Sequence, residues 1–511
     1  MSRTRNSLRN IAFGVGGQAV TMGLQFVTRS IFIQTLGVAY LGVTGLFTNI
    51  LSVLALAELG VGSAITFNLY KPIADNDRER VCQYMQLYKK AYRLIGGAIT
   101  VMGLALLPFL DVIVDASEAP PVNIALIYAL FLMQTTASYF FYAYKRALLD
   151  ANQKEYLVSL VALATTIGSN LAQIIVLLTT KNYVAYVAVV VAFVIANNFA
   201  ISFVCNRVYP YVNDKPKEKL PKEDVRTLIK NCSAIMIYKI NGVVLNATDN
   251  IVLALAKGVA TVGYYANYHM IFAAINLFLS RVFTAVKASV GNLCASSEPE
   301  RGERVFGRVN FATFFMYATI AVGVAALGND FIKLWLGSEY CLTPWVPILI
   351  GVKLYLDGIK KLLYTFREAM GLFQQAKYRP LFSAAVNLSF SIVAVRYYGV
   401  CGILMGTIVA DLTTYMWFDP WVIYKYGFKR SAKTYAVKNI AYFATFLGLV
   451  ALNFVVLNRL GGAGLVNFVG KCALCVLTTT VAISLLYYKN ADWAYWRNFA
   501  LRKIRRKATN A

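Results

Sequence analysis

The side chains in this chain with chemistry to offer are ionisable groups inside long apolar runs. Arg29, Glu58, Lys239, Asp249, Lys353, Asp357, Asp411 and Lys471 each interrupt a stretch that is otherwise hydrocarbon-like. A charge near the middle of a membrane helix costs a few kcal/mol, so each such group must face water, a partner or a cargo. Bases in that setting suit an anionic ligand, and arginine most of all, because its N–H fork can hold two phosphate oxygens at once. Candidate cavity-lining residues are therefore Arg29, Glu58, Lys239, Asp249, Lys353 and Asp357, with Arg281 and Lys287 toward the cytoplasmic end of their span. Glu58, Asp249 and Asp411 are the candidates for coupling to a proton or sodium ion. His269 is the single histidine, which argues against zinc or general-base enzymes and predicts no metal site. It reads as a hydrogen-bonded wall residue or a proton switch. No GxxxxGK[ST] loop is present, so direct ATP use is not expected, and Cys472 and Cys475 on one helix face read as packing. The residues point to a transporter without a resident cofactor and not to an enzyme.

The elements that carry these groups follow from composition. A chain of 511 residues that is 58% hydrophobic cannot hide its apolar surface as a soluble globule. Fourteen runs reach the roughly 20 apolar residues that a span needs. They lie at 11–36, 41–67, 90–114, 121–145, 157–179, 183–206, 228–256, 259–290, 306–329, 343–372, 377–398, 401–425, 436–457 and 463–488. The first is too long for the apolar core of a signal peptide and reads as a retained helix. With the N-terminus inside, 41 of the 50 basic residues fall in cytoplasmic segments and five in outer loops. That alternation supports the span count and places both termini in the cytoplasm. The net charge of +26 is thus a topology signal and not a nucleic-acid footprint.

An internal repeat organises the spans. At a constant offset of 221, Asn10 maps to Asn231, Gly37-Val38-Ala39 to Gly258-Val259-Ala260, Gly42 to Gly263, Arg146 to Arg367 and Gln153 to Gln374. The predicted fold is all-α: an N-terminal six-helix lobe (1–207), a cytoplasmic linker (208–227), a second six-helix lobe (228–425), a helix pair (426–488) and a basic tail (489–511). Parallel repeats of this kind enclose a central cavity suited to alternating access. The offset puts position 28/29 opposite 249/250, so an Arg29–Asp249 ion pair or gate is expected. Lys353 and Asp357, four apart, either neutralise each other or line the cavity.

The pattern Arg29, Leu36-Gly37, Tyr40-Leu41-Gly42, Asn49, Glu58-Leu59-Gly60, Gly62 and Leu69-Tyr70-Lys71-Pro72 resembles bacterial capsular and exopolysaccharide repeat-unit flippases. These form the polysaccharide transporter branch of the multidrug/oligosaccharidyl-lipid/polysaccharide superfamily. The close match covers residues 7–75, and helix count and repeat extend it to the whole chain. The resemblance implies a monomeric fourteen-helix flippase of the bacterial cytoplasmic membrane that moves undecaprenyl-diphosphate-linked oligosaccharides outward. It implies a polysaccharide polymerase and glycosyltransferases as partners, Arg29 in the family's first-helix arginine position, and a C-terminal helix pair serving the lipid tail. Where many members have a further arginine after the second-helix glycines, this chain has Thr66-Phe67. Competing readings are a drug/cation antiporter of the same superfamily, a lipid II flippase and a membrane glycosyltransferase or polymerase.

Overall fold

The computed structural model describes the backbone of residues 3–509 except 59–60, 111–113, 115–119, 297–298, 373, 377 and 463. Side chains are described for the same residues except 3–15, 57, 63, 230–231, 233–246, 281–299, 374, 500–501 and 503–509. Every regular element among the described residues is a helix. In order they are α1 (Arg3–Leu36), α2 (Val38–Leu54), α3 (Val61–Ala74), α4 (Arg78–Ala105), α5 (Ile124–Phe140), α6 (Arg146–Ala151), α7 (Glu155–Thr180), α8 (Tyr183–Val208) and α9 (Lys222–Ser296). There follow α10 (Pro299–Trp335), α11 (Trp345–Ala369), α12 (Arg379–Tyr398), α13 (Val400–Val422), α14 (Lys433–Asn458), α15 (Leu465–Leu486) and α16 (Ala491–Thr509).

Each of the fourteen predicted spans overlaps one or more of these helices. Among the described residues eight helices are long and apolar enough to cross a membrane, and a pair bent by 48°, Ile124–Phe140 with Ala143–Ala151, gives a ninth when counted as one span. The second span is broken between α2 and α3 by a 3-10 turn, Ala55–Glu58. The expected tail is a helix that folds back on α10: the Trp496 indole donates to the Arg308 carbonyl at 2.8 Å, and the Arg308 guanidinium lies 4.0 Å from the Tyr495 ring centroid.

The repeat is visible in the backbone. Gly37 (φ 96, ψ 170) separates α1 from α2, and Gly258 (φ 77, ψ 165) breaks α9 into 222–257 and 259–296. Positive φ at both sites is the region that glycine enters without a Cβ penalty. Five residues further on, a Cβ at Gly42 would overlap the carbonyl oxygen of Val259, and a Cβ at Gly263 would overlap that of Val38. Since 38 pairs with 259 and 42 with 263 under the offset, the contact is reciprocal, as a local two-fold axis requires.

The chain divides into two compact units, Met1–Gly263 and Tyr264–Ala511. Segment 222–257 belongs to the first, where Asp224 pairs with Arg80, and the glycine crossing holds the start of helix 259–296 in the same unit. In that unit α1 lies along α7, α7 on α8, α8 on α5, α5 on α4, and α4 on α3. In the second unit α10 packs on α11, α14 and α15. Stacked rings join the C-terminal pair to that core: Phe314 on Tyr442 at 4.4 Å and Tyr355 on Phe446 at 4.5 Å between centroids. Such pairs contribute about 0.5–1.5 kcal/mol each beyond burial.

Candidate functional site

In the first unit the polar face of α1 is built against α7. Thr28 Oγ1 donates to Asn170 Oδ1 at 2.8 Å, a buried contact that fixes the rotation of α1. Arg29, the next residue, projects about 100° further round the helix. It is half-buried, and its Nη1 is enclosed with no hydrogen-bond partner. Tyr186 of α8 is its electrostatic neighbour. Beside it Phe32, Tyr40, Tyr183 and Tyr186 form a ring cluster, with Phe32–Tyr186 and Tyr40–Tyr183 both 4.9 Å between centroids. Thr44 Oγ1 and Tyr183 Oη are hydrogen-bonded at 2.8 Å, pinning the cluster to α2.

Asp249 is buried in the same unit. The expected Arg29–Asp249 pair is not formed: among the described residues Arg29 makes no ion pair. The offset that aligned 28/29 with 249/250 matches positions along the repeat, and that is not the same as side-chain contact.

Glu58 lies at the break in the second span. Its carboxylate accepts hydrogen bonds from the hydroxyls of Tyr92 and of Tyr139, the latter at 2.7 Å, while Tyr88 donates to Tyr92 at 2.9 Å. A chain of phenols from α4 and α5 thus holds a carboxylate where helical hydrogen bonding is interrupted. These tyrosines were not legible as site residues, because an aromatic at helical spacing reads as packing.

In the second unit α11 carries the charges. Lys360 is the centre: its ammonium lies 2.7 Å from Asp357 and 2.7 Å from Asp411 on α13. Asp357 therefore pairs with the residue three positions on, and Lys353, four positions back, is a further electrostatic neighbour. The Lys353 ammonium stands 5.2 Å from the Phe272 ring centroid, and Lys361 donates to Asn276 Oδ1 at 2.8 Å. This line holds three ammonium groups against two carboxylates. Lys360 was missed because the Lys360-Lys361 dipeptide reads as the start of a cytoplasmic loop; the structure places it inside α11.

Other charges have structural partners. Lys471 pairs with Asp330 at 2.8 Å, and the buried Asp419 is held by both Arg367 and Arg379. His269 stands between the Tyr265 and Phe272 rings, at 6.1 and 5.9 Å. The side chains of Lys239, Arg281 and Lys287 lie outside the described residues. No group of three or more His, Cys, Asp or Glu that could hold a metal occurs among the described residues. An apolar cleft of about 260 Å³ opens between helix 259–296, α10, α11 and α15, lined by Ile271, Ile275, Val324, Phe331, Phe468 and Cys475 among others.

Comparison with known proteins places this arrangement. No curated protein sequence matches the chain. Among solved structures it is similar to the lipid II flippase MurJ in an inward closed conformation, at 14% identity and a TM-score of 0.65 over 94% of this chain and 99% of that one. It is also similar to an inward-facing MATE family multidrug resistance transporter (15% identity, TM-score 0.62, 78% of this chain and 94% of the other). A Vibrio cholerae MATE transporter, VcmN, matches at 14% identity and a TM-score of 0.55 over 83% of this chain and 99% of its own. These likenesses show a shared fold. The profile of the family described as polysaccharide biosynthesis protein matches residues 7–287, more than half of the chain. This multi-pass membrane protein, with the fold of the flippases and transporters above, thus belongs to the polysaccharide biosynthesis protein family.

Proposed function

We propose that the chain is a flippase that carries undecaprenyl-diphosphate-linked oligosaccharide units across the cytoplasmic membrane by alternating access, for capsular or exopolysaccharide export. The observation that carries this reading is Arg29: a half-buried guanidinium with an enclosed, unpartnered N–H group beside a ring cluster. Leaving such a group unsatisfied costs about 1–3 kcal/mol, a cost an anionic cargo removes by accepting the bond. A diphosphate supplies the oxygens, and the rings offer flat faces to sugars. The diphosphate cannot cross about 30 Å of hydrocarbon unaided. The apolar cleft of the second unit suits an isoprenoid segment, which has no polar groups to satisfy. In this reading a proton or sodium ion couples transport through Glu58, Asp249 or Asp411, both termini are cytoplasmic, the protein works as a monomer, and a polymerase and glycosyltransferases act beside it.

The test is reconstitution in liposomes with a fluorescent polyprenyl-diphosphate oligosaccharide, reading the fraction reachable by an external quencher over time. Wild-type protein is expected to move the lipid and Arg29→Ala to lose most of the rate. Transport by both at one rate would remove Arg29 from the path. Transport of lipid II but not of the repeat-unit lipid would change the cargo.

A further inference from the structure

A second cationic site, built from residues other than Arg29, lies in the first unit where α4, α5 and α8 meet. A pocket of about 170 Å³ is lined there by Lys89, Arg93, Phe140, Phe141, Tyr142 and Phe199, among other aromatic side chains, and contains no carboxylate. Lys89 and Arg93 stand one turn apart on α4, and among the described residues neither makes a hydrogen bond or ion pair. The aromatic wall comes from the bend after α5. Tyr142 takes a left-handed conformation, φ 61, and the Lys145 ammonium holds the bend by donating to Asn206 Oδ1 at 2.6 Å and Asn213 Oδ1 at 2.9 Å. That ammonium also sits 5.1 Å from the Tyr142 ring centroid, so a third positive charge with only neutral acceptors stands behind the wall. A non-glycine residue at positive φ is uncommon, and here it aims two successive aromatics at one pocket.

We propose that this pocket binds the phosphate of an anionic phospholipid headgroup in the inner leaflet. Charge complementarity selects an anion, since the cations face one opening with no acid to neutralise them. Position selects a lipid: the basic-residue count puts this end of α4 on the cytoplasmic side, and Phe140, Phe141 and Phe199 are exposed, as side chains in an interfacial belt are. Juxtamembrane Lys and Arg attract anionic lipids by about 1 kcal/mol each. At about 170 Å³ the pocket has room for one headgroup phosphate.

The test uses full-length protein in phosphatidylcholine nanodiscs titrated with phosphatidylglycerol, counting retained phosphatidylglycerol by native mass spectrometry. Wild type is expected to retain one such lipid in preference to phosphatidylcholine. In Lys89→Gln/Arg93→Gln the apparent affinity is expected to fall roughly thirtyfold, from two basic groups. Arg93→Gln alone should lower it roughly fivefold, which keeps the proposal testable if the double variant does not fold. Lys90→Gln, a change at an exposed neighbour outside the pocket, should leave retention unchanged. Equal retention by wild type and either pocket variant would overturn the proposal. So would displacement of the lipid by a short-chain polyprenyl diphosphate whose own binding needs Lys89 and Arg93, since the pocket would then be a docking point for cargo.

Discussion

Replacing Lys360 by Met tests the charge line of α11 most sharply. The ammonium holds Asp357 and Asp411 at 2.7 Å each, and the side chains of Asp357 and Asp411 are 18% and 2% exposed. Removing one member of a buried ion pair costs about 3–5 kcal/mol, because the remaining charge has no partner. Here Asp411, 2% exposed, loses its paired ammonium, while Asp357 keeps Lys353 and Lys361 as electrostatic neighbours, so the burden falls on Asp411. Lys360→Met is therefore expected to destabilise the protein by about 3–5 kcal/mol. Adding Asp411→Asn removes the enclosed charge and should recover about 2 kcal/mol of that loss, within the range seen for coupled neighbours. Adding Asp357→Asn instead should recover less. The assay is reversible unfolding of the purified protein in detergent, with transport measured in parallel. Equal stability of Lys360→Met and wild type, or no recovery in either double variant, would refute the assignment of Lys360 as the shared partner.

The glycine crossing gives a second expectation. A Cβ at Gly42 meets the Val259 carbonyl, so Gly42→Ala should cost about 1–3 kcal/mol by overpacking and shift α2 from helix 259–296. Gly45→Ala, whose Cβ meets only Val262 Cγ1 at 3.5 Å, should unfold like wild type, and matched losses at both sites would contradict the reciprocal contact. For Glu58, the reading as a coupling carboxylate held by phenols expects Glu58→Gln to fold normally, since an amide oxygen can still accept from Tyr139, while uphill transport driven by an ion gradient is lost. Unchanged driven transport in that variant would reduce Glu58 to a structural acceptor.

Much of the fold was legible because bilayer physics writes itself into composition. Apolar length located the spans, and the alternation of Lys and Arg gave an independent check on their number. The offset of 221 located two glycines that adopt the same left-handed turn, though the reciprocal carbonyl contacts of Gly42 and Gly263 could not be seen without coordinates. Side-chain partners were less legible. Lys360 sits beside Lys361 in a stretch that reads as a loop border, and its pairing with Asp411 joins residues 51 apart. The Tyr92 and Tyr139 hydroxyls on Glu58 carry no signal in a chain with 33 tyrosines. The break after α2 was also hidden, since Ala55-Leu56-Ala57 continues the apolar run and breaks no hydropathy pattern.

Flippase activity through Arg29 is tested most directly by the leaflet distribution of undecaprenyl-diphosphate-linked oligosaccharide in cells lacking this gene, complemented with wild type or with Arg29→Ala. Inner-leaflet accumulation that wild type relieves and Arg29→Ala does not is the expected result. Normal lipid-linked sugar and polysaccharide levels, with altered sensitivity to cationic drugs, would contradict it and move the protein to the antiporter side of its fold.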